Sequence, residues 1–464
     1  MNLSTHISAA AADTIAAIAT PPGTAGLAVI RVSGASAAAL AASVFPDVDL
    51  RKVDSHTVHY GRLVDREGAL IDEVLVTVFR APRSYTAEDC VEISCHGGAV
   101  VTKRVLQCLL ATGMRHAEPG EFTRRAFLNG RIDLVQAEAV ADLIHAQSFE
   151  AHRASLRQLE GSFSKYVRDI REKLVHALSM LELSLDFVEE DVAFMSQTEL
   201  QSLITEAAQK IRNALDSYSS GRIVRDGARV ALLGFPNVGK SSLLNALLGS
   251  ERAIVTEVPG TTRDFIEESM LLQGELFRFI DTAGLRNTDD PVEREGIART
   301  HEMALQSDIV CLLSEAAAGM DGLAGLHSAA ALTRTNQELL YIFTKCDLAS
   351  DAEKTAVANK GLLVSVRDGA GLEKLRDTLA AIARGKGVSS EQGEVLVTNV
   401  RHADCLQNGL QALQRAEEAL TKGRTEEFVA LDVREAVTAL GEIIGEVTSD
   451  DVLNGIFARF CIGK

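Results

Sequence analysis

The chain has 464 residues, a length that predicts two to four domains, each large enough for its own core. Its 47 Lys and Arg residues and 64 Asp and Glu residues give a formal net charge of −17, which argues against wrapping nucleic acid broadly, so any RNA contact is expected to be a local basic patch. The seven cysteines include no Cys-x-x-Cys pair, and the sequence has neither a signal peptide nor an apolar run long enough to cross a membrane. We therefore expect a soluble, cytoplasmic protein with reduced thiols and no membrane contact.

The first part of the chain combines β-rich runs with one helical stretch. The runs cover residues 27–32, 56–63, 74–79 and 90–94, and the helical stretch covers 99–111. This pattern predicts a compact α+β domain over residues 1–129. Its composition alone indicates no function.

Helical periodicity follows, and it returns near the end of the chain. Apolar residues spaced three and four apart from Leu156 to Leu185 predict one long amphipathic helix. The same spacing recurs over residues 200–215, 406–420 and 431–447. The simplest arrangement is an all-α domain formed by residues 130–221 and 387–464, into which an α/β domain, residues 222–386, is inserted. The Ser- and Gly-containing segments 217–227 and 384–393 are predicted to be its linkers.

Basic side chains cluster in three places that are candidates for an RNA contact. Solvated helix faces that pair with nearby glutamates are the commoner explanation for such clusters. The candidates are Lys103 with Arg104; Arg124, Arg125 and Arg131; and the stripe Arg157, Lys165, Arg168 and Arg171.

A phosphate-binding loop is indicated by Gly234-Phe-Pro-Asn-Val-Gly-Lys-Ser241, which stands between an apolar run and a helical stretch. Glycines let backbone N–H groups turn inward around a β-phosphate, and the following helix N-terminus adds partial positive charge. We expect Lys240 to reach the β and γ oxygens and the Ser241 hydroxyl to serve as a hard oxygen ligand for Mg²⁺.

Three later segments predict the remaining contacts of the nucleotide. Asp281-Thr-Ala-Gly284 follows a short apolar strand, so it is expected to place a carboxylate beside Mg²⁺ and an N–H beside the γ-phosphate. In Thr344-Lys-Cys-Asp347, the Asp347 carboxylate can accept both N–H groups of guanine, which adenine would leave unpaired, and this predicts GTP. Ser365-Val-Arg367 is expected to contact the guanine oxygen through its backbone. Thr344 stands where Asn is commoner, and Ser-Val replaces the usual Ser-Ala.

The residue after Gly284 is Leu285, where a Ras-like enzyme has a glutamine that orients the attacking water. An apolar side chain cannot do this. The candidates that remain are Asn237, the segment from Thr256 to Asp264, and the acidic stretch around Glu293 and Glu295. On residue type alone, Glu293 is more often a solvated carboxylate on a helix.

These motifs, with Pro259-Gly-Thr-Thr-Arg-Asp264, Val292-Glu-Arg-Glu-Gly-Ile297 and the terminal Cys461-Ile-Gly-Lys464, resemble the tRNA uridine-modifying GTPases of the MnmE family, also called TrmE. The resemblance extends over the whole chain. It implies that Lys240 and Glu293 are catalytic, with Glu293 orienting the water through bridging waters. A K⁺ ion would take the place of an arginine finger.

The same resemblance implies the ligand sets. Mg²⁺ is held by Ser241 and Thr262, and K⁺ by Asn237, Thr256, Val258 and Thr261. The GTP contacts that it implies are Asn237, Val238, Gly239, Lys240, Ser241, Ser242, Thr256, Glu257, Val258, Pro259, Gly260, Thr261, Thr262, Asp281, Thr282, Ala283, Gly284, Thr344, Lys345, Cys346, Asp347, Ser365, Val366 and Arg367.

For the N-terminal domain, the resemblance implies folate binding and dimerisation, similar to the aminomethyltransferase of glycine cleavage. Arg31, Glu92 and Arg131 match the family's folate contacts, and Lys464 approaches them from a C-terminus. Arg131 stands where Lys is common in the family. On residue type alone, Arg31 could close an ion pair at a strand end and Glu92 could cap a turn.

The function that the resemblance implies is a K⁺-activated GTPase that modifies C5 of the wobble uridine, position 34, of certain tRNAs. With an FAD-dependent partner, MnmG or GidA, it would form a heterotetramer and add an aminomethyl or carboxymethylaminomethyl group, with 5,10-methylenetetrahydrofolate as the carbon source and FAD only on the partner. The alternative is a GTP-regulated RNA-binding or ribosome-assembly factor of the Era or Der type. Against it, the sequence has no Gly-x-x-Gly loop after the GTPase and no second phosphate loop.

Overall fold

The structure is a computed structural model that describes residues 13–186, 195–249, 268–280, 304–323, 337–386 and 395–464. Its strands are β1 Ile15–Ile18, β2 Ala25–Ser33, β3 Thr57–Val64, β4 Leu70–Phe79, β5 Cys90–Gly97, β6 Arg115–His116, β7 Ala228–Gly234, β8 Glu268–Leu272, β9 Glu275–Ile280, β10 Ile309–Glu315, β11 Glu338–Thr344 and β12 Leu362–Leu363. Its helices are α1 Ala37–Ala42, α2 Ala99–Ala111, α3 Glu121–Leu128, α4 Leu134–His145, α5 Phe149–Leu159, α6 Ser162–Asp186, α7 Gln197–Asp216, α8 Tyr218–Asp226, α9 Lys240–Leu248, α10 Asp351–Val357, α11 Leu372–Lys386, α12 Val400–Thr421, α13 Glu426–Ile444 and α14 Asp450–Phe457.

The chain divides into two compact units. The first contains the described residues up to Ala141, together with 159–164 and 441–464, and the second contains 142–158 and the described residues from 165 to 440. None of the helices in the described ranges is both long and apolar enough to span a membrane.

The first unit is built on a six-stranded sheet with the order β3-β4-β5-β2-β1-β6. Its neighbouring strands are antiparallel except for the pair β1 and β6. Alternate residues of β4, Val74, Val76 and Val78, are buried against the helical layer, as the two-residue period of a strand requires. The α+β architecture predicted for this region is confirmed, and α2 has the predicted bounds.

A second, smaller core in this unit joins the end of the chain to α3 and α4. It contains Leu134, Leu453, Phe457 and Phe460, with Phe127 packed against them. At the turn before α3, Gly120 has φ +68, and a Cβ there would lie 2.6 Å from the Phe457 carbonyl oxygen. This packing keeps the C-terminal residues beside the sheet of the first unit.

The predicted single helix from Leu156 to Leu185 is wrong, because the structure divides it. Helix α5 ends at Leu159 and α6 begins at Ser162. Between them, Gly161 has φ +86, in the left-handed region where glycine carries no steric penalty. The apolar spacing continues across the break, which is why periodicity alone predicts an unbroken helix.

Residues 217–227, predicted to be a linker, form helix α8 instead. This helix lies against the segment after residue 394. The Ser217 hydroxyl accepts a hydrogen bond from the Val397 N–H at 3.0 Å, and a Cβ on Gly221 would overlap the Val397 carbonyl oxygen. The two segments that flank the α/β part of the second unit are therefore in direct contact.

The α/β part of the second unit has the sheet order β12-β11-β10-β7-β9-β8, which is parallel except at β8. One face packs on α9 and α11 through Leu243 and Leu375, and the other face includes Val310 and Phe343 with Val357 of α10. The α/β architecture predicted for this part of the chain is confirmed. Because parallel strands end at one edge, the loops after β7, β11 and β12 meet there.

Candidate functional site

The phosphate loop joins β7 to α9 in a tightly constrained backbone. A Cβ on Gly234 would lie 2.8 Å from the Leu313 carbonyl oxygen, so no side chain fits there. Asn237 and Gly239 have φ of 63° and 98°, in the left-handed region, and Gly239 is the residue just before α9. The helix N-terminus therefore opens into this loop, an arrangement that suits an anion.

Lys240, in the first turn of α9, folds back over the loop. Its Nζ donates hydrogen bonds to the carbonyl oxygens of Gly234 at 2.6 Å and Phe235 at 2.8 Å. The residue is 8% exposed, and burial lowers the pKa of its ammonium group. An anionic phosphate at the loop would favour the charged form again. Ser241, the next residue, is exposed on the same turn.

The loop after β11 is bonded directly to the phosphate loop. Thr344 is 3% exposed, and its hydroxyl donates to the Val238 carbonyl oxygen at 2.6 Å and lies 3.2 Å from the Ser314 carbonyl oxygen. A threonine in place of the commoner Asn could be expected to loosen the loop. In the structure, its hydroxyl joins the ends of β10 and β11 to the phosphate loop.

Asp347 is positioned by the loop after β12. Its side chain is 17% exposed, and its Oδ1 accepts a hydrogen bond from the Ser365 hydroxyl at 2.9 Å. Arg367 lies at the edge, with 4.0 Å between its Nη1 and Asp347 Oδ2. Next to Thr344, Lys345 pairs with Glu315. The structure thus brings the predicted residues of the phosphate loop and of the two predicted guanine-binding loops, after β11 and β12, to one edge of the sheet.

Several predicted site residues lie outside the residues that the structure describes. Their roles therefore stay predictions from the sequence. They are Thr256, Glu257, Val258, Pro259, Gly260, Thr261, Thr262, Asp281, Thr282, Ala283, Gly284 and Glu293.

The first unit contains a separate cavity of about 560 Å³, lined by Arg31, Glu92 and Arg131 among others. Arg31 Nε donates to Glu92 Oε1 at 2.9 Å, and these side chains are 13% and 29% exposed. Arg31 and Glu92 are cross-strand neighbours on β2 and β5. The ion pair considered for Arg31 from its residue type is therefore present, and both partners face the cavity.

Tyr85 organises this cavity, although no sequence motif points to it. The Arg31 guanidinium lies 4.9 Å from the centre of the Tyr85 ring and that of Arg131 lies 5.1 Å from it. Arg131 Nη1 also donates to the Tyr85 carbonyl oxygen at 2.8 Å, and the Tyr85 hydroxyl is 2.9 Å from Thr123 Oγ1. A lone tyrosine in a loop has no periodic pattern, so only its place between two arginines in space identifies it.

The C-terminus contacts Arg31, which lines this cavity. Arg31 Nη1 donates to the Gly463 carbonyl oxygen at 3.5 Å. Burial lowers the pKa of Lys464, the nearby charge of Arg31 lowers it further, and Glu92 raises it. The structure therefore brings all four predicted folate residues together within one unit of the chain.

Of the candidate basic cluster Arg124, Arg125 and Arg131, Arg125 is not part of the surface. The Arg125 side chain is 7% exposed and pairs with Asp13 at 2.6 Å, Glu121 at 3.0 Å and Glu88 at 3.3 Å. Two arginines that lie next to each other in sequence differ in environment here, because α3 turns Arg125 toward the sheet.

The fold and site define a P-loop protein of the GTP-binding class, with a second cavity in an α+β unit. A family model described as "MnmE helical domain" matches residues 134–461, and one described as "GTP-binding protein TrmE N-terminus" matches residues 14–131. The chain belongs to the MnmE family of tRNA modification GTPases.

Individual relatives match over nearly full length. The tRNA modification GTPase MnmE of Cytophaga hutchinsonii is 44% identical, over 97% of this chain and 98% of that protein. The protein of the same description from Salinibacter ruber is also 44% identical, over 97% and 99%. A solved structure, the G domain of the FeoB iron transporter of T. maritima, is 27% identical over 34% of this chain and 99% of its own, and its TM-score of 0.26 is too low to support an argument.

Proposed function

We propose that this chain is a K⁺-activated GTP hydrolase that acts in modification of C5 of the wobble uridine of tRNA. A folate-derived carbon and an FAD-dependent partner of the MnmG type would complete the reaction, which adds an aminomethyl or carboxymethylaminomethyl group. The observation that carries the proposal is the presence of two sites on one chain. One consists of the loops for phosphate and guanine at one edge of a sheet, and the other is a cavity lined by Arg31, Glu92 and Arg131.

In the nucleotide site, the described residues fit GTP with Mg²⁺. Lys240 would leave the loop carbonyl oxygens to contact the β and γ oxygens, and Asp347 would accept from both guanine N–H groups. The Ser241 hydroxyl, on the first turn of α9, is an oxygen donor of the type that Mg²⁺ prefers, with Thr262 as its proposed partner. The ion would neutralise negative charge on the phosphates.

Hydrolysis needs groups that the phosphate loop alone lacks. We assign orientation of the water to Glu293, and the K⁺ site to Asn237 with Thr256, Val258 and Thr261, on the sequence motifs that these residues form. Asn237 has a φ of 63°, and it stands in the phosphate loop, where a bound cation would lie next to the transferred phosphoryl group.

The cavity in the first unit fits a tetrahydrofolate. Its volume of about 560 Å³ is in the range of ligand pockets. Arg31, Arg131 and Lys464 supply positive charge for the glutamate tail, and Glu92 can accept hydrogen bonds from the pterin. This site favours the tRNA modification role over an assembly factor of the Era or Der type, which would have no use for it.

The exposed edge of the first sheet supports a homodimer. Strand β3 is at the end of the sheet, and Val58 and Tyr60 on it are 59% and 66% exposed. Leu75, the cross-strand neighbour of Tyr60, is 42% exposed. An apolar strip along a strand that has no outer neighbour among the described residues is suited to pairing with a second copy. We place this homodimer with its FAD-dependent partner in a cytoplasmic heterotetramer.

Binding of 5-formyltetrahydrofolate, measured by calorimetry on the full chain, tests the folate assignment. We expect the wild-type chain to bind and Glu92→Gln to weaken binding at least about tenfold, because a hydrogen bond to a charged group is lost. Glu67→Gln, at an exposed turn residue of the same unit, serves as the matched control and should bind normally. A wild-type chain that hydrolyses GTP but does not bind the folate would refute the assignment.

A further inference from the structure

Helix α5 exposes the large apolar side chains of Phe149 and Leu156 and buries the polar side chains of Ser155 and Gln158. Phe149 is 75% exposed and Leu156 is 36% exposed. The buried residues of the helix are instead Ala151, Ser155 and Gln158. A large aromatic side chain that is left in water on an otherwise ordered helix indicates an interaction surface.

The inner side of α5 is fixed in place, so the helix cannot turn to bury Phe149. Gln158 is 4% exposed, and its Nε2 donates to Thr398 Oγ1 at 2.9 Å and lies 3.4 Å from the Leu396 carbonyl oxygen. At the other end, the Ser148 hydroxyl accepts from the Ala151 N–H at 3.1 Å. The outward direction of Phe149 is therefore set by the contacts of Gln158 with residues 396 and 398, while the Ser148 bond caps the first turn of the helix.

The outward side combines stacking and charge. The rings of Phe149 and His152 lie nearly parallel, with centroids 6.3 Å apart and planes inclined by 27°. One helical turn from Phe149, Arg153 is 47% exposed, and its only described ion pair is with Glu150 at 3.8 Å. Such a pair at the surface is weak and can give way to a phosphate.

The charge of α5 is opposite in sign to that of the chain. Between Phe149 and Leu159, Glu150 is the only carboxylate, against Arg153 and Arg157, whereas the whole chain has a formal net charge of −17. An aromatic pair beside arginines is the combination that binds unpaired nucleotides: bases stack on the rings and phosphates pair with the cations. A basic protein partner would be repelled by these arginines.

We infer that the outward side of α5, formed by Phe149, His152, Arg153 and Leu156, binds an unpaired segment of the substrate tRNA. A base stacks on Phe149, and Arg153 exchanges Glu150 for a phosphate oxygen. This inference rests on the proposed function, which makes tRNA the substrate.

The test is binding of an in vitro transcribed tRNA with uridine at the wobble position to the full chain, followed by fluorescence anisotropy at several salt concentrations. Phe149→Leu keeps the apolar side chain but removes the ring, and we expect it to weaken binding about tenfold or more. Phe149→Tyr keeps the ring and should bind within about twofold of wild type. Arg153→Gln should weaken binding and reduce the slope of log affinity against log salt by about one.

Arg51→Gln, at an exposed arginine of the first unit that pairs with Asp49, is the control and should leave the affinity nearly unchanged. If Phe149→Leu and Arg153→Gln both bound tRNA with the affinity and salt slope of the wild-type chain, the inference would be overturned and the proposed function would stand. The inference would also be overturned if Phe149→Leu bound tRNA normally but self-associated more weakly than wild type, because this side of the helix would then bind protein. A wild-type chain that bound no tRNA would remove the proposed function and the inference with it.

Discussion

At the scale of single residues, Thr344 links the two halves of the nucleotide site. Its hydroxyl bonds to the Val238 carbonyl oxygen of the phosphate loop at 2.6 Å, whereas Asp347, three residues later, is held by Ser365. Thr344 therefore acts on the position of the phosphate loop, whereas the role proposed for Asp347 is the choice of base.

Replacing Thr344 separates these two effects. Thr344→Val keeps the shape but leaves the Val238 carbonyl oxygen without its partner, so we expect GTP affinity to fall about tenfold, or roughly 1.4 kcal/mol. The preference for GTP over ATP should remain, because Asp347 is intact. Thr344→Ser keeps a hydroxyl and should bind almost normally. Titration with fluorescent guanine and adenine nucleotides measures both quantities, and normal affinity in Thr344→Val would contradict this role.

Arg125 is the buried centre of an ion network in the first unit that extends to the surface at Asp13. Besides its own three carboxylate partners, the network includes Arg115, which contacts Asp13 at 2.7 Å and also pairs with Glu121. Burial by itself would raise the pKa of Glu121, but the hydrogen bonds and charges of Arg115 and Arg125 outweigh it, so its pKa lies below the ordinary value. The pKa of Asp13 is lowered by the same arginines against the same effect of burial.

These shifts determine how stability depends on pH. A carboxylate whose pKa is lowered by folding stabilises the fold above its unfolded pKa, near 4, and this contribution is lost as the pH falls through the folded pKa. Arg125→Met should cost about 3 kcal/mol near pH 7, because it leaves Glu88 without its cation and leaves Glu121 and Asp13 with Arg115 alone. The difference from wild type should shrink below about pH 4.

Urea unfolding, with hydrogen exchange in α3 as the local probe, measures this effect. The exposed Arg104→Met is the control, and it should change the free energy of unfolding by less than about 0.5 kcal/mol. If the loss in free energy of unfolding of Arg125→Met stayed constant down to acid pH, packing rather than charge would account for it.

At the scale of elements, the contact between α8 and the segment at Val397 depends on the absence of a side chain at Gly221. A Cβ there would overlap the Val397 carbonyl oxygen, so we expect Gly221→Ala to destabilise the second unit by about 1–3 kcal/mol. A Cβ on Gly455, in α14, would meet no described atom within 4 Å, so Gly455→Ala should stabilise its helix by about 0.5–1 kcal/mol. Thermal unfolding followed by circular dichroism compares them, and equal effects of the same sign would show that the close contact is unimportant.

The elements also show what the sequence can and cannot predict. Helix α2 was predictable to the residue because its apolar face is bounded by Gly98 and Thr112. The break at Gly161 was not, because a glycine within a helix costs only about 1 kcal/mol and the apolar spacing runs through it. Helix α8 was missed because its serines and glycine favour a linker locally, whereas contacts with residues far along the chain select the helix.

The same distinction applies to the candidate sites. The phosphate loop and the predicted guanine-binding loop after β11 are each a short motif of consecutive residues, so the sequence indicates them. The structure brings them to one edge of the sheet, as parallel strands require. Tyr85 and the outward side of α5 depend on which side chains meet in space, so no local pattern indicates them.

At the scale of the whole molecule, one unit of the chain contains the nucleotide site and the other contains a cavity of about 560 Å³. Both lie in regions that match models of the MnmE family. The central claim is that GTP hydrolysis here uses a potassium ion bound at the phosphate loop, because this property would distinguish the chain from GTPases that use an arginine finger.

The most direct test is GTP turnover of the full chain in KCl and in NaCl at equal ionic strength. Asn237→Gly is the matched variant, because glycine accepts the positive φ at this position while the side-chain oxygen is removed. We predict turnover at least about tenfold faster in KCl for the wild-type chain, and little difference between the salts for Asn237→Gly. Equal wild-type rates in the two salts would contradict the claim.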